Sequence, residues 1–281
     1  MTLRRFIAER IHSLKPAFEI DSASNPLKLI ISLSRKQWNF FFIGLIAWTW
    51  DAFDFYTVAL SYTSLGNTFH KDITEITLGV TLVLMLRPLG AGIFGLAADR
   101  VGRKWPFIIN NVLLIVFELA TGFCMTYKQF LAVRALFGIA MGGIYGNATT
   151  TALEDCPEEA RGLLSGVFQS GYPFGFLLAT LFWEAFNGRT HYEWRPLFWF
   201  GASFPVVLII WRWFMPETNE YNSRVASRLG GNSVKAILAD AKEGLIRYWL
   251  LLIYLVLLMT GFSYMVQLPV LNRMSLILTS I

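Results

Sequence analysis

The stretch GLAADRVGRKWP, residues 95–106, decides the fold, because it sets a dense group of charges between two long apolar runs. Its charged residues are Asp99, Arg100, Arg103 and Lys104. The flanking runs cover about 76–98 and 105–126, and each reaches the ~20 residues that a helix needs to cross a hydrocarbon core. We interpret the stretch as a tight polar turn between two membrane-spanning helices, with Gly95 allowing close helix approach and Gly102 allowing the sharp turn.

The composition of the whole chain is that of a membrane protein. Of 281 residues, 55% are hydrophobic and 15% are charged, and the mean hydropathy is +0.49. Soluble globular chains carry roughly 45–50% apolar and about 25% charged residues. The apolar runs lack the alternating pattern of barrel strands, so helices remain as the spanning structure. The sequence therefore predicts an all-α polytopic membrane protein.

Several other classes of protein find no support in the sequence. The net charge of +5 reflects a bias of the loops rather than a nucleic-acid partner. The two cysteines, Cys124 and Cys156, have neither the spacing of a disulfide framework nor that of a metal site. Gly90 and Gly92 lie inside an apolar run with no strand before them, so they do not form a nucleotide loop. We expect no enzyme activity, no cofactor and no bound metal.

The composition divides the chain into four segments. These are a basic tail at 1–37, a six-helix membrane domain at 38–215, a polar connector at 216–247 and a last apolar segment at 248–281. Seven runs are long enough to span a membrane. They cover about 38–62, 76–98, 105–126, 129–152, 161–186, 195–215 and 248–267.

The orientation in the membrane follows from the basic residues. With a cytoplasmic N-terminus, 16 Lys and Arg residues fall in cytoplasmic segments and four in external loops. This excess agrees with the positive-inside rule. We therefore expect a cytoplasmic N-terminus, no signal peptide of the usual layout, and a location in the plasma membrane. Arg100, Arg103 and Lys104 are then expected to face the headgroups of the inner leaflet.

The turn at 95–106 resembles the loop signature of the major facilitator superfamily, G-x-x-x-D-R-x-G-R-[KR]. The matching residues are Gly95, Asp99, Arg100, Gly102, Arg103 and Lys104. Arg134, Gly138 and Gly142 resemble the R-x-x-x-G-x-x-x-G pattern on the superfamily's fourth helix. The resemblance implies the N-terminal six-helix half of a transporter plus part or all of a seventh helix. It also implies that the loop signature and Arg134 serve conformational change.

A closer resemblance is carried by AWTWDAFDFYTVAL at 47–60 and TLVLMLRPLGAGIFGLAADR at 81–100. Both stretches look like the Jen-type monocarboxylate/proton symporters of fungi. The resemblance implies import of lactate, pyruvate or related carboxylates with a proton, by alternating access between two six-helix halves.

The resemblance ends on the seventh helix. The Jen-type family carries N-x-x-[ST]-H-x-[ST]-Q-D-x-x-x-T there, whereas Ser263 and Gln267 stand in place of the Asn and the His. The Gln-Asp pair and the second half are missing, so we expect that the reading frame departs near Met265.

Arg87 is the strongest candidate for substrate binding. It precedes Asp99 by 12 residues, so at about 1.5 Å per residue it lies roughly 18 Å from the turn, near the middle of the membrane. A guanidinium there stays charged and offers a fork that matches a carboxylate. Asn147 and Gln169 can add amide hydrogen bonds. The alternatives are a structural or gating ion pair for Arg87 and interhelical packing for the two amides.

Three acids are candidates for proton coupling. Asp51 and Asp54 stand three residues apart on the first helix, hence on one face. Two close carboxylates in a low dielectric resist double ionisation, so one of them can hold a proton. Their alternative is a permanent pair with Arg87 or Arg134. Glu118 on the third run can also titrate, although we favour its pairing with Arg134.

The sequence thus predicts a proton-coupled secondary transporter of short monocarboxylates in a lipid bilayer, with the oligomeric state left open. Two alternatives remain: a truncated membrane fragment that does not transport, and a facilitator of another small solute such as a sugar or a dicarboxylate. Seven tryptophans are interpreted mostly as interfacial anchors or packing residues. They are Trp48, Trp50, Trp183, Trp194, Trp199, Trp211 and Trp213.

Overall fold

The computed structural model describes residues 30–186, 192–227 and 246–258, and the regular structure in these ranges is helical. The helices are α1 Arg35–Leu60, α2 Tyr62–Phe69, α3 Ile73–Val101, α4 Lys104–Gly122, α5 Tyr127–Leu153, α6 Glu158–Gln169, α7 Gly171–Phe186, α8 Arg195–Phe214, α9 Asn219–Ser227 and α10 Ile246–Leu258. Four of them, α3, α4, α5 and α8, are long and apolar enough to cross a membrane. The prediction of an all-α polytopic membrane protein is confirmed.

Three of the long helices begin with a capping box. Ser34, Asp72 and Thr126 are the N-caps of α1, α3 and α5, and in each box a Gln or Glu three residues on reaches back to the cap. Such boxes satisfy backbone N–H groups that have no partner within the helix. These helices therefore begin two or three residues before the apolar runs that predicted them.

The span predicted at 161–186 consists of two helices that are separated by a single residue. Helix α6 ends at Gln169, and α7 begins at Gly171 after Ser170. Pro173 has no N–H to donate to the carbonyl of Gln169, which weakens the helix at this point. The segment predicted as a connector also contains a helix, α9.

Glycines set the close packing of α3 on α5. A Cβ on Gly142 would overlap the backbone carbonyl of Arg87, and one on Gly90 would overlap the carbonyl of Ile139. A Cβ on Gly138 would lie 2.7 Å from backbone atoms of Val83. The two backbones therefore approach through positions without side chains, as small residues permit in membrane helices.

Within the described residues, Gly95 does not make the close helix contact that the sequence suggested. A Cβ at this position would meet no atom of the described residues within 4 Å. The close approach of α3 instead falls on its earlier turns, around Gly90. Gly102 does have the predicted role, since its φ of 102° is in the region that favours glycine.

Helix α1 belongs to the unit that covers residues 24–229, and it contacts α5, α7 and α8 there. It packs against α5 through Gly44, where a Cβ would lie 2.7 Å from the Cβ of Ala152. On another side it meets α7, where a Cβ on Gly175 would overlap the carbonyl of Thr49. Helix α4 packs against α5 and α8. This arrangement brings charged side chains of α1, α3, α4 and α5 into the interior.

Helix α10 belongs to the other unit of the chain and is a short apolar helix of 13 residues. The tail before residue 30 lies outside the described residues. So do Ser263, Met265 and Gln267, on which the expected departure of the reading frame rests.

Candidate functional site

Arg87 of α3 is paired with Asp51 of α1. The Arg87 Nη2 donates to Asp51 Oδ2 at 2.7 Å. The Asp51 side chain is fully buried, whereas that of Arg87 is 20% exposed. The structure therefore contains the ion pair that was one alternative for Arg87, and leaves part of the guanidinium accessible.

The accessible side of Arg87 lines a pocket of about 450 Å³. Gln169, at the end of α6, lines the same pocket, and Trp48 and Tyr145 form aromatic walls. Asn147 is buried and is not among the lining residues, and its Nδ2 has no hydrogen-bond partner in the described part of the chain. Two of the three predicted substrate-binding residues thus share a pocket.

A second group of buried charges lies around Asp54, three residues after Asp51 on α1. Arg134 Nη1 donates to Glu118 Oε2 at 3.1 Å, and both side chains are almost completely buried. Asp54 lies beside this pair, and neither of its carboxylate oxygens accepts a hydrogen bond from the described residues. A Cβ on Gly201 of α8 would lie 2.7 Å from Asp54 Oδ1 and 3.5 Å from Glu118 Oε1. The favoured pairing of Glu118 with Arg134 is confirmed.

Asp51 and Asp54 therefore have different neighbours, although they stand on one helix. The Asp51 carboxylate faces a cation of its own, whereas Asp54 shares Arg134 with Glu118. Formal charges balance in the first group. The second group holds two carboxylates and one guanidinium, so it carries one surplus negative charge when all three are ionised.

The α3–α4 turn is held by a fork of hydrogen bonds from Arg103. Its Nε and Nη2 donate to the two carboxylate oxygens of Glu154, at 3.0 and 3.1 Å, and its Nη1 donates to Asp99 at 2.8 Å. Burial opposes the charged form of Arg103, but the two carboxylates outweigh it and raise its pKa. The turn is thereby tied to the end of α5.

Lys104 and Glu217 tie the same turn to the end of α8. The Lys104 Nζ donates to the carbonyls of Trp213 and Met215, at 2.6 and 3.0 Å. The backbone N–H of Lys104 donates to Glu217 Oε2 at 3.0 Å. Arg212 is buried and donates to Glu217 Oε1 at 3.4 Å.

The expectation that Arg100, Arg103 and Lys104 all face lipid headgroups is therefore wrong for Arg103. Arg103 is only 4% exposed, and the Lys104 ammonium binds main-chain carbonyls. Arg100 alone among the three has an exposed side chain. Arg134 lies with Glu118 in the interior, apart from this turn.

The sequence did not indicate the role of three residues that contact these charged groups. Glu154 and Glu217 lie in short polar segments, where an acid is usually solvated. Trp48 resembles an interfacial tryptophan in sequence but lies buried beside Arg87. Its position three residues before Asp51 was the available signal.

The fold and the buried charges define a class of membrane transporter, and comparison with known proteins gives the family. A protein-family model described as sugar (and other) transporter matches residues 29–240, which is most of the chain. The chain belongs to this family of the major facilitator superfamily.

Two relatives illustrate the range of solutes in the family. A carboxylic acid transporter protein homolog of Saccharomyces cerevisiae is 39% identical over 256 residues, covering 86% of this chain and 42% of that protein. The sialic acid transporter NanX of Escherichia coli is 33% identical over 190 residues, covering 64% of this chain and 44% of that protein. The chain spans less than half of the length of these relatives.

The fold is similar to solved structures of the same superfamily. The xylose transporter XylE from E. coli, in a partially occluded inward-open conformation, superimposes with a TM-score of 0.60 at 17% identity. The match covers 68% of this chain and 51% of that one. The described helices thus form part of a major facilitator half.

Proposed function

We propose that this chain belongs to a proton-coupled importer of short monocarboxylates, in which Arg87 binds the substrate carboxylate. The observation that carries the proposal is a partly exposed guanidinium deep in an apolar helix, at the wall of a pocket. The name of the yeast relative, a carboxylic acid transporter homolog, supports this class of solute.

The chemistry of Arg87 suits a carboxylate. A guanidinium has five N–H donors in a planar fork, and Asp51 takes a bond from Nη2. The donors that remain can bind a second carboxylate in the pocket, beside the amide of Gln169. Because Asp51 and the ligand compete for one cation, binding of the ligand loosens the Asp51–Arg87 pair.

We assign proton coupling to the group around Asp54. An ionised carboxylate that is buried without a hydrogen-bonding partner costs several kcal/mol. The charged groups that face it are Asp51, Glu118 and Arg134. One proton on the Asp54–Glu118 pair removes the surplus charge, and so provides the stable loaded form that a symporter needs.

We further propose that the N-terminus is cytoplasmic and that the protein resides in the plasma membrane. The support is the excess of basic residues in the segments on the N-terminal side of the membrane.

The deciding experiment measures equilibrium binding of radiolabelled lactate and pyruvate to the purified chain in lipid nanodiscs. Arg87→Gln is expected to weaken binding at least tenfold, because a hydrogen bond to a charged group contributes about 1.5–3 kcal/mol. The control is Lys128→Gln, which removes an exposed cation near the start of α5, outside the pocket. This variant is expected to bind lactate and pyruvate as the parent chain does.

The alternatives give different results in the same assay. A non-transporting fragment binds neither acid. A facilitator of another solute binds a sugar or a dicarboxylate in preference, with an affinity that Arg87→Gln leaves unchanged. Either result would overturn the assignment of Arg87.

A further inference from the structure

The ring of Trp48 lies against the guanidinium of Arg87. The Arg87 Cζ is 5.7 Å from the centroid of the indole ring. Trp48 stands on α1 three residues before Asp51, so the ring and the carboxylate approach the same cation from neighbouring positions of one helix. Arg87 is thus held by a charged partner and by an aromatic partner.

The Trp48 ring is itself held firmly. It stacks on Phe168 at 6.2 Å with an interplanar angle of 7°, and it meets the edge of Tyr145 at 4.7 Å. Tyr172 lies 5.2 Å away, and only 7% of Trp48 is exposed. Packing from α5, α6 and α7 therefore fixes the ring, so that it cannot turn away when Arg87 changes partner.

The two contacts of Arg87 differ in what they leave available for a ligand. Asp51 neutralises the guanidinium and competes with a ligand carboxylate for its N–H donors. An aromatic face attracts a cation through its quadrupole and carries no net charge. The ring therefore holds the guanidinium in place without consuming the charge that a carboxylate ligand needs.

We propose that Trp48 is a positioning residue, which seats the Arg87 guanidinium on its ring face while the Asp51 carboxylate gives way to the carboxylate of a ligand. The inference rests on the proposed function, because it assigns Trp48 a role in the site where that function binds its substrate. It predicts that carboxylate affinity depends on the electron density of this one ring.

The test replaces Trp48 alone, by site-specific incorporation of 5-fluoro-, 5,7-difluoro- or 5,6,7-trifluorotryptophan. Fluorine withdraws electron density from the ring face and changes its shape little, so packing against Phe168 and Tyr145 is retained. Lactate binding to the full chain in nanodiscs is expected to weaken with each added fluorine, by about threefold to tenfold over the series. The same series at Trp199, whose ring packs against Phe123 and Tyr192, is the control and is expected to show no trend.

An affinity that stays constant along the Trp48 series, with binding by the parent chain intact, overturns the inference and leaves the proposed function standing. Absence of lactate and pyruvate binding by the parent chain overturns the proposed function instead. In that case a double-mutant cycle tests whether the Trp48 ring and Arg87 interact. It compares the melting temperatures of Trp48→Leu, Arg87→Gln and the double variant with that of the parent. Additive shifts of the melting temperature overturn the contact, and a double shift smaller than the sum supports it.

Discussion

The buried charges show how residues of one type acquire different roles from their neighbours. Asp51 and Asp54 are both buried on α1 and are separated by less than one helical turn. Asp51 meets the cation of α3, whereas Asp54 lies beside a pair already formed between α4 and α5. The crossing of α1 with these helices, rather than the identity of the residue, distinguishes a balanced pair from an unbalanced group.

The surplus charge at Asp54 gives a prediction for pH. Parent affinity for lactate is expected to fall as pH rises, by up to tenfold per unit, because one bound proton links to one bound carboxylate. Asp54→Asn removes the surplus charge and keeps the shape, so its affinity is expected to be nearly independent of pH. Titrations of lactate binding over a series of pH values measure the slope.

The matched control is Glu184→Gln, which replaces an exposed acid of another apolar helix, α7. Its lactate affinity is expected to depend on pH as strongly as that of the parent. If the lactate affinity of Asp54→Asn depended on pH as strongly as that of the parent, the coupling proton would be bound by another group. That result would contradict the assignment.

At the scale of helices, the contact of α3 with α5 fixes the position of Arg87, because Gly142 lies against its backbone carbonyl. Gly142→Ala places a methyl group into this contact and is expected to cost about 1–3 kcal/mol through overpacking. Gly146→Ala, one turn further along α5, places its methyl group where no described atom lies within 4 Å. That variant is expected to be neutral or to stabilise the helix by up to about 1 kcal/mol. Thermal denaturation of both variants in detergent measures the difference, and equal melting temperatures would contradict it.

The fork of Arg103 joins two elements, the α3–α4 turn and the end of α5. Arg103→Lys keeps the charge and loses the bidentate geometry toward Glu154, which is expected to cost about 1.5–3 kcal/mol. Amide hydrogen exchange at residues 99–105 is expected to accelerate by at least tenfold. Arg100→Lys alters an exposed side chain of the same turn and serves as the control. Unchanged exchange in Arg103→Lys would show that the fork does not hold the turn.

The elements could be predicted from the sequence better than the contacts between them. Apolar runs located most of the long helices to within a few residues. The break at Ser170 lies three residues before Pro173, in the run at 161–186. Arg87 and Asp51 stood out as charges in apolar surroundings. Their pairing could not be derived, because it depends on how α1 and α3 cross. Glu154 remained hidden for the same reason, since only the folded chain brings it to Arg103.

At the scale of the whole molecule, the proposed orientation can be tested with cysteine labelling. The chain has two cysteines, and both are buried. Burial raises the pKa of the Cys156 thiol to about 11, so it reacts slowly with maleimides at neutral pH. Lys128→Cys and Arg100→Cys place exposed thiols at opposite ends of the bundle. In intact cells an impermeant maleimide is expected to label the Lys128→Cys variant, and the Arg100→Cys variant only after permeabilisation. The reverse pattern would invert the topology.

In the proposed cycle, the surplus charge of the group around Asp54 also sets the response of these buried groups to membrane voltage. Within the described residues, the groups around Arg87 and Asp54 together carry a formal charge of −1 when their five charged side chains are ionised. In the proposed cycle they still carry −1 after one proton and one monocarboxylate have entered together. The loaded and the empty transitions of the proposed cycle therefore move the same charge in opposite directions. The complete cycle moves no net charge across the membrane. An elementary charge crossing the full field changes in energy by about 2.3 kcal/mol per 100 mV. An inside-negative voltage would thus bias the carrier toward its outward-facing state, while the proton gradient alone sets the final accumulation.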